Sequence, residues 1–107
     1  MTEKKRRALI LLPWISLPIV LAGYAILWNR LPERLAVHFE WSGAANGWMS
    51  RGQALASQAV ILLFALVSFS LKLRSRKNKD AIRTIVAYYA AVVIITAVFL
   101  WILIYNA

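Results

Sequence analysis

The sequence predicts an all-α membrane protein in which three transmembrane helices carry a structured outer loop between helices 1 and 2. Three observations lead to this fold class. The 107 residues are 62% hydrophobic and only 16% charged, with a mean hydropathy of +0.66, whereas soluble domains carry about 25% charged residues. Three long stretches contain almost no charge, and most Lys and Arg residues fall in two short runs. A single membrane domain over residues 1–107 is therefore expected.

The first predicted helix covers about residues 8–29, and the others cover about residues 52–72 and 81–105. At ~1.5 Å per residue the first is roughly 33 Å long, which is enough to cross a ~30 Å hydrocarbon core. Its basic flank also resembles a secretory signal peptide, but the apolar run is longer than usual and contains Pro13 and Pro18. We therefore expect an uncleaved helix, kinked at proline and supported by its neighbours.

The basic residues predict the orientation, because cytoplasmic loops of membrane proteins accumulate Lys and Arg. One run precedes the first helix, and the other lies in a predicted basic cytoplasmic loop at residues 72–83. We expect the N-terminus in the cytoplasm and the C-terminus outside. No aromatic or glycine pattern accompanies the runs, so no nucleic-acid partner is expected. The expected contacts with anionic lipid are Lys4, Lys5, Arg6, Arg7, Lys72, Arg74, Arg76, Lys77 and Lys79.

Aromatic and polar residues in the spans fit the same arrangement. Trp and Tyr concentrate at both membrane interfaces. The expected outer anchors are Trp28, Trp48, Trp101 and Tyr105, and the expected inner anchors are Trp14, Tyr88 and Tyr89. The helix centres contain no ionisable residue, so an ion or proton path is not expected. The polar residues expected to join helices are Ser57, Gln58, Ser68, Ser70 and Thr96.

The outer loop, residues 30–51, is longer than a helix-to-helix connection needs. Apolar side chains alternate with small or polar ones from Leu35 to Trp41, which predicts an extended segment with one apolar face. His38 and Glu40 would then share the opposite face. Such a segment can present both an apolar and a polar surface to a partner.

The second half of the loop contains turn and cap signals. Asn46-Gly47 is typical of a tight turn, so the chain is expected to reverse there, after Gly43. Ser50 and Gln53 have the spacing of a capping box that opens the second helix. The residues expected to shape the loop are Leu31, Pro32, Gly43, Gly47, Ser50 and Gln53.

The loop also carries a family resemblance. The residues that carry it are Leu31-Pro32, His38-Phe39, Gly43, Asn46-Gly47-Trp48 and Ser50-Arg51. This pattern resembles the uncharacterised membrane domain at the N-terminus of SdpI-type bacterial proteins, over approximately residues 10–73. Ala36 stands where a second proline is common, and Ala45-Asn46 replaces the frequent Pro-Asp.

The resemblance implies a function at the bacterial cell (inner) membrane. The founding member of the family protects its producer from a secreted peptide toxin and signals the toxin's presence by holding a repressor at the membrane. By resemblance, the outer loop would bind a hydrophobic peptide or lipid, in toxin immunity or envelope sensing. The candidate binding residues are three aromatic anchors and three polar contacts, namely Phe39, Trp41, Trp48, His38, Glu40 and Asn46.

Other interpretations of the same residues stay open. The loop aromatics also suit an ordinary interfacial belt, and the chain could be a structural or accessory subunit of a larger complex such as a transporter, or a homo-oligomer. His38 could pack, form a hydrogen bond, or titrate near neutral pH. With Glu33 and Glu40 it offers too few ligands for a closed zinc site. We expect no metal, no cofactor and no enzymatic activity, because no nucleophile lies in a recognisable catalytic pattern.

Overall fold

The computed structural model describes residues 2–74 and 81–107. It contains three helical spans, each long and apolar enough to cross a membrane, which we call span 1 (Glu3–Arg30), span 2 (Arg51–Arg74) and span 3 (Ala81–Asn106). The prediction of a multi-pass membrane protein with three helices is confirmed. Spans 2 and 3 lie within two residues of their predicted bounds. Of the predicted basic loop, Arg76, Lys77 and Lys79 lie outside the described residues.

Span 1 begins at Glu3, earlier than the predicted residue 8. Thr2 provides the reason, because its side-chain oxygen accepts a hydrogen bond of 3.1 Å from the backbone N–H of Lys5 and caps the helix. Glu3 places a carboxylate in the first turn, where the helix dipole favours negative charge. The basic run of residues 4–7 is therefore helical and continuous with the apolar part of span 1.

Pro13 interrupts the regular hydrogen bonding of span 1. The segment Leu12–Ile15 is a 3₁₀ turn between the α-helices Glu3–Leu11 and Ser16–Leu27. In an α-helix the backbone N–H of residue 13 would donate to the carbonyl of Leu9, and in a 3₁₀ turn it would donate to the carbonyl of Ile10. Proline has no N–H, so it cannot donate to either carbonyl. Span 3 supplies a donor for both carbonyls.

Two adjacent tyrosines of span 3 donate to these carbonyls. The hydroxyl of Tyr88 donates to the Ile10 oxygen at 2.7 Å, and that of Tyr89 donates to the Leu9 oxygen at 2.9 Å. Neighbouring helices commonly satisfy backbone groups freed by proline in membrane helices. The expected support of a proline-containing span by its neighbours is present in this form.

Side chains of all three spans form the core. The hydroxyl of Tyr24 donates to Gln58 Oε1 at 2.8 Å, and Trp14 Nε1 donates to Ser70 Oγ at 3.0 Å. Both pairs join span 1 to span 2, so two of the five polar residues expected to join helices do so. The fully buried aliphatic residues of the same core include Val20, Leu62, Leu66 and Leu103.

Between spans 1 and 2 the chain forms a β-hairpin, so the all-α prediction needs correction. Strand β1 (Arg34–Phe39) pairs antiparallel with β2 (Ala45–Ser50), placing Leu35 opposite Met49 and His38 opposite Gly47, with an irregularity around Val37. The fold is mostly helical with one two-stranded sheet. The alternating pattern correctly indicated an extended segment. The loop is also long enough for that segment to pair with a second strand.

The predicted turn at Asn46-Gly47 is wrong, because both residues lie in β2. The turn covers residues 40–44. The backbone N–H of Glu40 donates to the carbonyl oxygen of Ala44, and the N–H of Gly43 donates to the carbonyl oxygen of Glu40, both at 2.9 Å. Gly43 adopts a φ of 89° within this turn. The reason is strand length. A turn at residues 46 and 47 would leave only three residues for the return strand before span 2 begins at Arg51.

Gly47 has a packing role instead of a turn role. A Cβ at this position would lie 2.8 Å from the Cβ of His38 on the paired strand. We expect Gly47→Ala to lower the free energy of unfolding by about 1 to 2 kcal/mol through overpacking, and to speed amide exchange in β1. Thermal unfolding and hydrogen exchange in detergent micelles measure both effects.

Gly52→Ala is the matched control. Gly52 lies in the first turn of span 2, where an added Cβ meets nothing within 4 Å, so alanine should leave stability unchanged or raise it slightly. Equal effects of the two substitutions would contradict the close contact between Gly47 and His38.

Candidate functional site

The hairpin is fastened to the helices by Asn106 at the end of span 3. The backbone N–H of Ala36 donates to Asn106 Oδ1 at 2.8 Å, and Asn106 Nδ2 donates to the Ala36 oxygen at 2.9 Å and to the Ile102 oxygen at 2.8 Å. The side-chain amide thus pairs with β1 as a neighbouring strand would. Because Ala36 is buried, this contact fixes the position of β1 over span 3.

A second set of contacts fixes the base of the hairpin. The Arg51 guanidinium lies 4.8 Å above the centre of the Trp28 ring and donates to the Trp28 carbonyl at 3.1 Å. The backbone N–H of Arg51 also donates to the backbone carbonyl oxygen of Glu33 at 3.1 Å. These contacts hold the end of span 1 against the start of span 2, with a cation–π interaction as part of the joint.

The predicted capping box is confirmed at this joint. The backbone N–H of Gln53 donates to Ser50 Oγ at 3.1 Å, and the backbone N–H of Ser50 donates to Gln53 Oε1 at 3.4 Å. The two side chains satisfy amides that would otherwise lack partners at the start of a helix. Span 2 therefore begins directly where β2 ends.

Phe39 packs against the end of span 3. Its ring lies 4.8 Å from the ring of Trp101 and 5.0 Å from that of Tyr105 between centroids, both edge-to-face, and Trp101 and Tyr105 lie 5.4 Å apart. This three-ring cluster ties the far end of β1 to span 3. Phe39 is consequently half-buried, so it supports the hairpin as well as contributing surface.

The tip of the hairpin forms a shallow cleft of about 450 Å³ lined by Phe39, Glu40, Trp41 and Asn46. Four of the six residues predicted to bind a ligand therefore line one surface. Trp41 lies in the turn and is fully exposed, at 106% of its reference area. The apolar face predicted for residues 35–41 therefore ends at Phe39, because the turn takes Trp41 away from the helices. A fully exposed indole next to a carboxylate can bind an apolar group and a positive charge together.

His38 joins this surface through Asn46. Its Nδ1 lies 2.6 Å from Asn46 Oδ1, and both side chains are exposed. An amide oxygen only accepts, so Nδ1 is the donor in this contact. His38 thus orients the amide that lines the cleft. Among the described residues, no group of three His, Cys, Asp or Glu side chains could hold a metal ion.

Trp48 lies in β2, opposite Ala36 in the register, and is half-exposed. It does not line the cleft. The structure therefore separates the two exposed tryptophans of the hairpin, which sequence reasoning had treated as equivalent. This difference provides a matched pair of variants for testing the cleft.

Of the residues predicted to contact anionic lipid, those that the structure describes lie at the other end of the molecule from the hairpin. Residues 4–7 occupy the first turns of span 1, and Lys72 and Arg74 occupy the last turn of span 2. Arg6 and Arg7 share a cavity with Arg74, so the two basic runs meet. The predicted aromatic anchors also separate into the same two groups, with Trp14, Tyr88 and Tyr89 toward the basic end.

Two residues that organise the site escaped sequence reasoning. Asn106 was overlooked as a polar residue at the end of an apolar stretch, and Arg51 was considered only as a loop charge and as part of the family pattern, with no contact expected for it. The feature that could have indicated a role for Asn106 is its side-chain amide, which offers both a donor and an acceptor at the edge of a membrane span. The strand that it pairs with is 70 residues away in sequence, so no local pattern connects the two.

Comparison with known families gives one match. The model described as a domain of unknown function (DUF1648) matches residues 8–63, which is just over half of the chain. The chain belongs to the DUF1648 family. No curated protein and no solved structure matches it significantly. The DUF1648 match covers most of span 1, the whole hairpin and the first half of span 2. Asn106, which fastens the hairpin, lies in span 3 beyond the matched residues.

Proposed function

We propose that this DUF1648 protein is an SdpI-like protein of the bacterial cell (inner) membrane whose hairpin binds a hydrophobic peptide outside the cell, in toxin immunity or envelope sensing. The observation that carries the proposal is the cleft at the hairpin tip, with a fully exposed Trp41 beside Glu40. The basic residues at the opposite end support an outward-facing hairpin, because positive charge favours the cytoplasmic side.

The residues that line the cleft indicate the kind of peptide that it would bind. Glu40 is its one charged lining residue, and the Trp41 ring offers a large apolar surface. An amphipathic peptide with an apolar side chain next to a basic one matches both. Such a peptide also partitions to the membrane interface, where it meets the hairpin at high local concentration.

The geometry of the hairpin favours binding without large rearrangement. Strand β1 is held in place by Asn106 and by the cluster of Phe39, Trp101 and Tyr105. The contact between His38 and Asn46 orients one polar side chain that lines the cleft. A surface already held in its binding conformation loses less conformational entropy on association. Trp41 is the exposed side chain expected to contribute most, because aromatic anchors dominate interface energetics.

Trp41→Ala should weaken binding of a synthetic amphipathic cationic peptide about tenfold, because the main apolar contact is lost. The dissociation constant is measured by titrating labelled peptide onto protein in nanodiscs. In parallel, a peptide-sensitive bacterium expressing the chain should survive peptide challenge, and the Trp41→Ala strain should lose most of that protection at equal membrane content.

Trp48→Ala provides the matched control, since it removes an exposed tryptophan of the same hairpin outside the cleft. It should leave the dissociation constant within about twofold of wild type. Equal loss in both variants would mean that the tryptophans act as a nonspecific interfacial belt. No binding by the inserted wild-type protein would favour the alternative, an accessory subunit of a larger membrane complex.

A further inference from the structure

The end of the molecule opposite the hairpin contains a second cavity, of about 470 Å³, between the first turns of span 1 and the last turns of span 2. Its lining includes the guanidinium side chains of Arg6, Arg7 and Arg74, with Glu3 beside them. The apolar part of the lining includes Ile10 and Trp14. The cavity thus combines cationic residues near the helix ends with apolar residues further along span 1.

Two of the three arginines lie on the N-terminal helix of span 1. Glu3, Arg6, Arg7 and Ile10 follow an i, i+3, i+4, i+7 spacing, so they share one face of the N-terminal helix. The Thr2 cap keeps this part of the chain helical from its first turn.

The opposite wall is joined to span 1 by a buried hydrogen bond. Trp14 Nε1 donates to Ser70 Oγ at 3.0 Å, and Ser70 is 8% exposed. This contact fixes the distance between the two spans at the depth of the indole ring. Arg74 lies one helical turn beyond Ser70 on span 2, which places its guanidinium toward the same opening.

The charges of the lining select the ligand. Three arginines and one glutamate give a net charge of +2. Guanidinium groups bind phosphate through two parallel hydrogen bonds, which lysine cannot do. Lys4 and Lys5 lie in the same helical turns but do not line the cavity. The site is therefore more selective than a diffuse layer of positive charge.

We propose that this cavity binds the headgroup of an anionic phospholipid with two phosphates, as in cardiolipin. Arg7 and Arg74 contact the phosphates, while the glycerol and the first methylene groups lie on Ile10 and Trp14. The apolar wall and its position at a helix end favour a lipid over a soluble anion. Basic cavities between helices on the cytoplasmic side of membrane proteins provide this kind of recognition. The proposal is independent of the function of the hairpin.

The test is cardiolipin retention by the full chain, measured by native mass spectrometry after titration of the purified protein in detergent. Wild type should retain one cardiolipin in preference to phosphatidylglycerol at equal total lipid charge. The variant Arg7→Gln with Arg74→Gln should bind cardiolipin at least about tenfold more weakly. The matched control, Lys4→Gln with Lys5→Gln, removes the same charge from the same end and should stay within about twofold of wild type.

A second variant separates binding from folding. Leu11 lines the cavity and is 57% exposed, so Leu11→Trp places a larger side chain in the space, keeps every charge and removes no buried contact. It should also reduce cardiolipin retention about tenfold. Equal losses in the two charge variants, or unchanged retention in Leu11→Trp, would overturn the proposed site. Displacement of the lipid by an equal concentration of inorganic pyrophosphate would show that the apolar wall contributes nothing.

Discussion

Replacing Asn106 with alanine should lower the free energy of unfolding by about 3 kcal/mol and release β1 from span 3. The substitution removes two hydrogen bonds to Ala36 and one to Ile102. Ala36 is buried, so its N–H and C=O would be left without partners, at about 1 to 3 kcal/mol for each group. Denaturant titration in micelles measures the stability, and hydrogen exchange at the Ala36 amide reports release of the strand.

Two further variants make this prediction specific. Asn29→Ala removes an exposed asparagine at the same end of the molecule and should change stability by less than about 0.5 kcal/mol. Asn106→Asp can still accept from the Ala36 N–H but cannot donate, so an intermediate loss is expected. If Asn106→Ala left the exchange rate of Ala36 unchanged, the amide would not be what holds the strand.

Replacing both Tyr88 and Tyr89 with phenylalanine should destabilise the protein by about 2 kcal/mol. Each substitution keeps the ring and removes only the hydroxyl that donates to the Ile10 or Leu9 carbonyl. Those carbonyls lie where Pro13 provides no N–H, so they lose their partner in a region of low polarity. The same denaturant titration applies. Tyr105→Phe is the control, because the Tyr105 hydroxyl has no hydrogen-bond partner among the described residues.

A double-mutant cycle then identifies the cause. Pro13→Ala restores an N–H that can donate to Leu9 within span 1. In that background Tyr89→Phe should cost about 1 kcal/mol less than in the wild-type chain, because the carbonyl keeps a donor. Additive effects of Pro13→Ala and Tyr89→Phe would show that the tyrosine stabilises the bundle by packing and not by donating to the Leu9 carbonyl, which Pro13 leaves without a donor.

The helical part of the fold is predictable because its signals are local. Apolar length determines the spans, and Ser50 with Gln53 marks the start of span 2 through a spacing of three residues. The start of span 1 was placed too late, since the basic run was treated as a flank and the Thr2 cap was not considered. Charge alone does not end a helix.

The hairpin was only partly predictable because its turn depends on competition between two candidate positions. Asn46-Gly47 has the stronger turn signal, but Gly43 allows two strands of six residues to pair over Leu35. In the candidate site, the sequence indicated Phe39, Glu40, Trp41 and Asn46, which do line one cleft. The exclusion of Trp48 required the register.

The pairing of Ala36 with Asn106 also imposes an order of events on biosynthesis. The two residues are 70 positions apart, and at about 5 to 20 residues per second a ribosome needs roughly 4 to 14 s to cover that distance. During this interval the first two spans and the strands between them already exist, while the amide that anchors them has not been made. Strand β1 therefore acquires its final position late, and a nascent chain stalled before residue 106 should carry a hairpin that is fixed at its base by Arg51 and Trp28 but lacks the Asn106 contact.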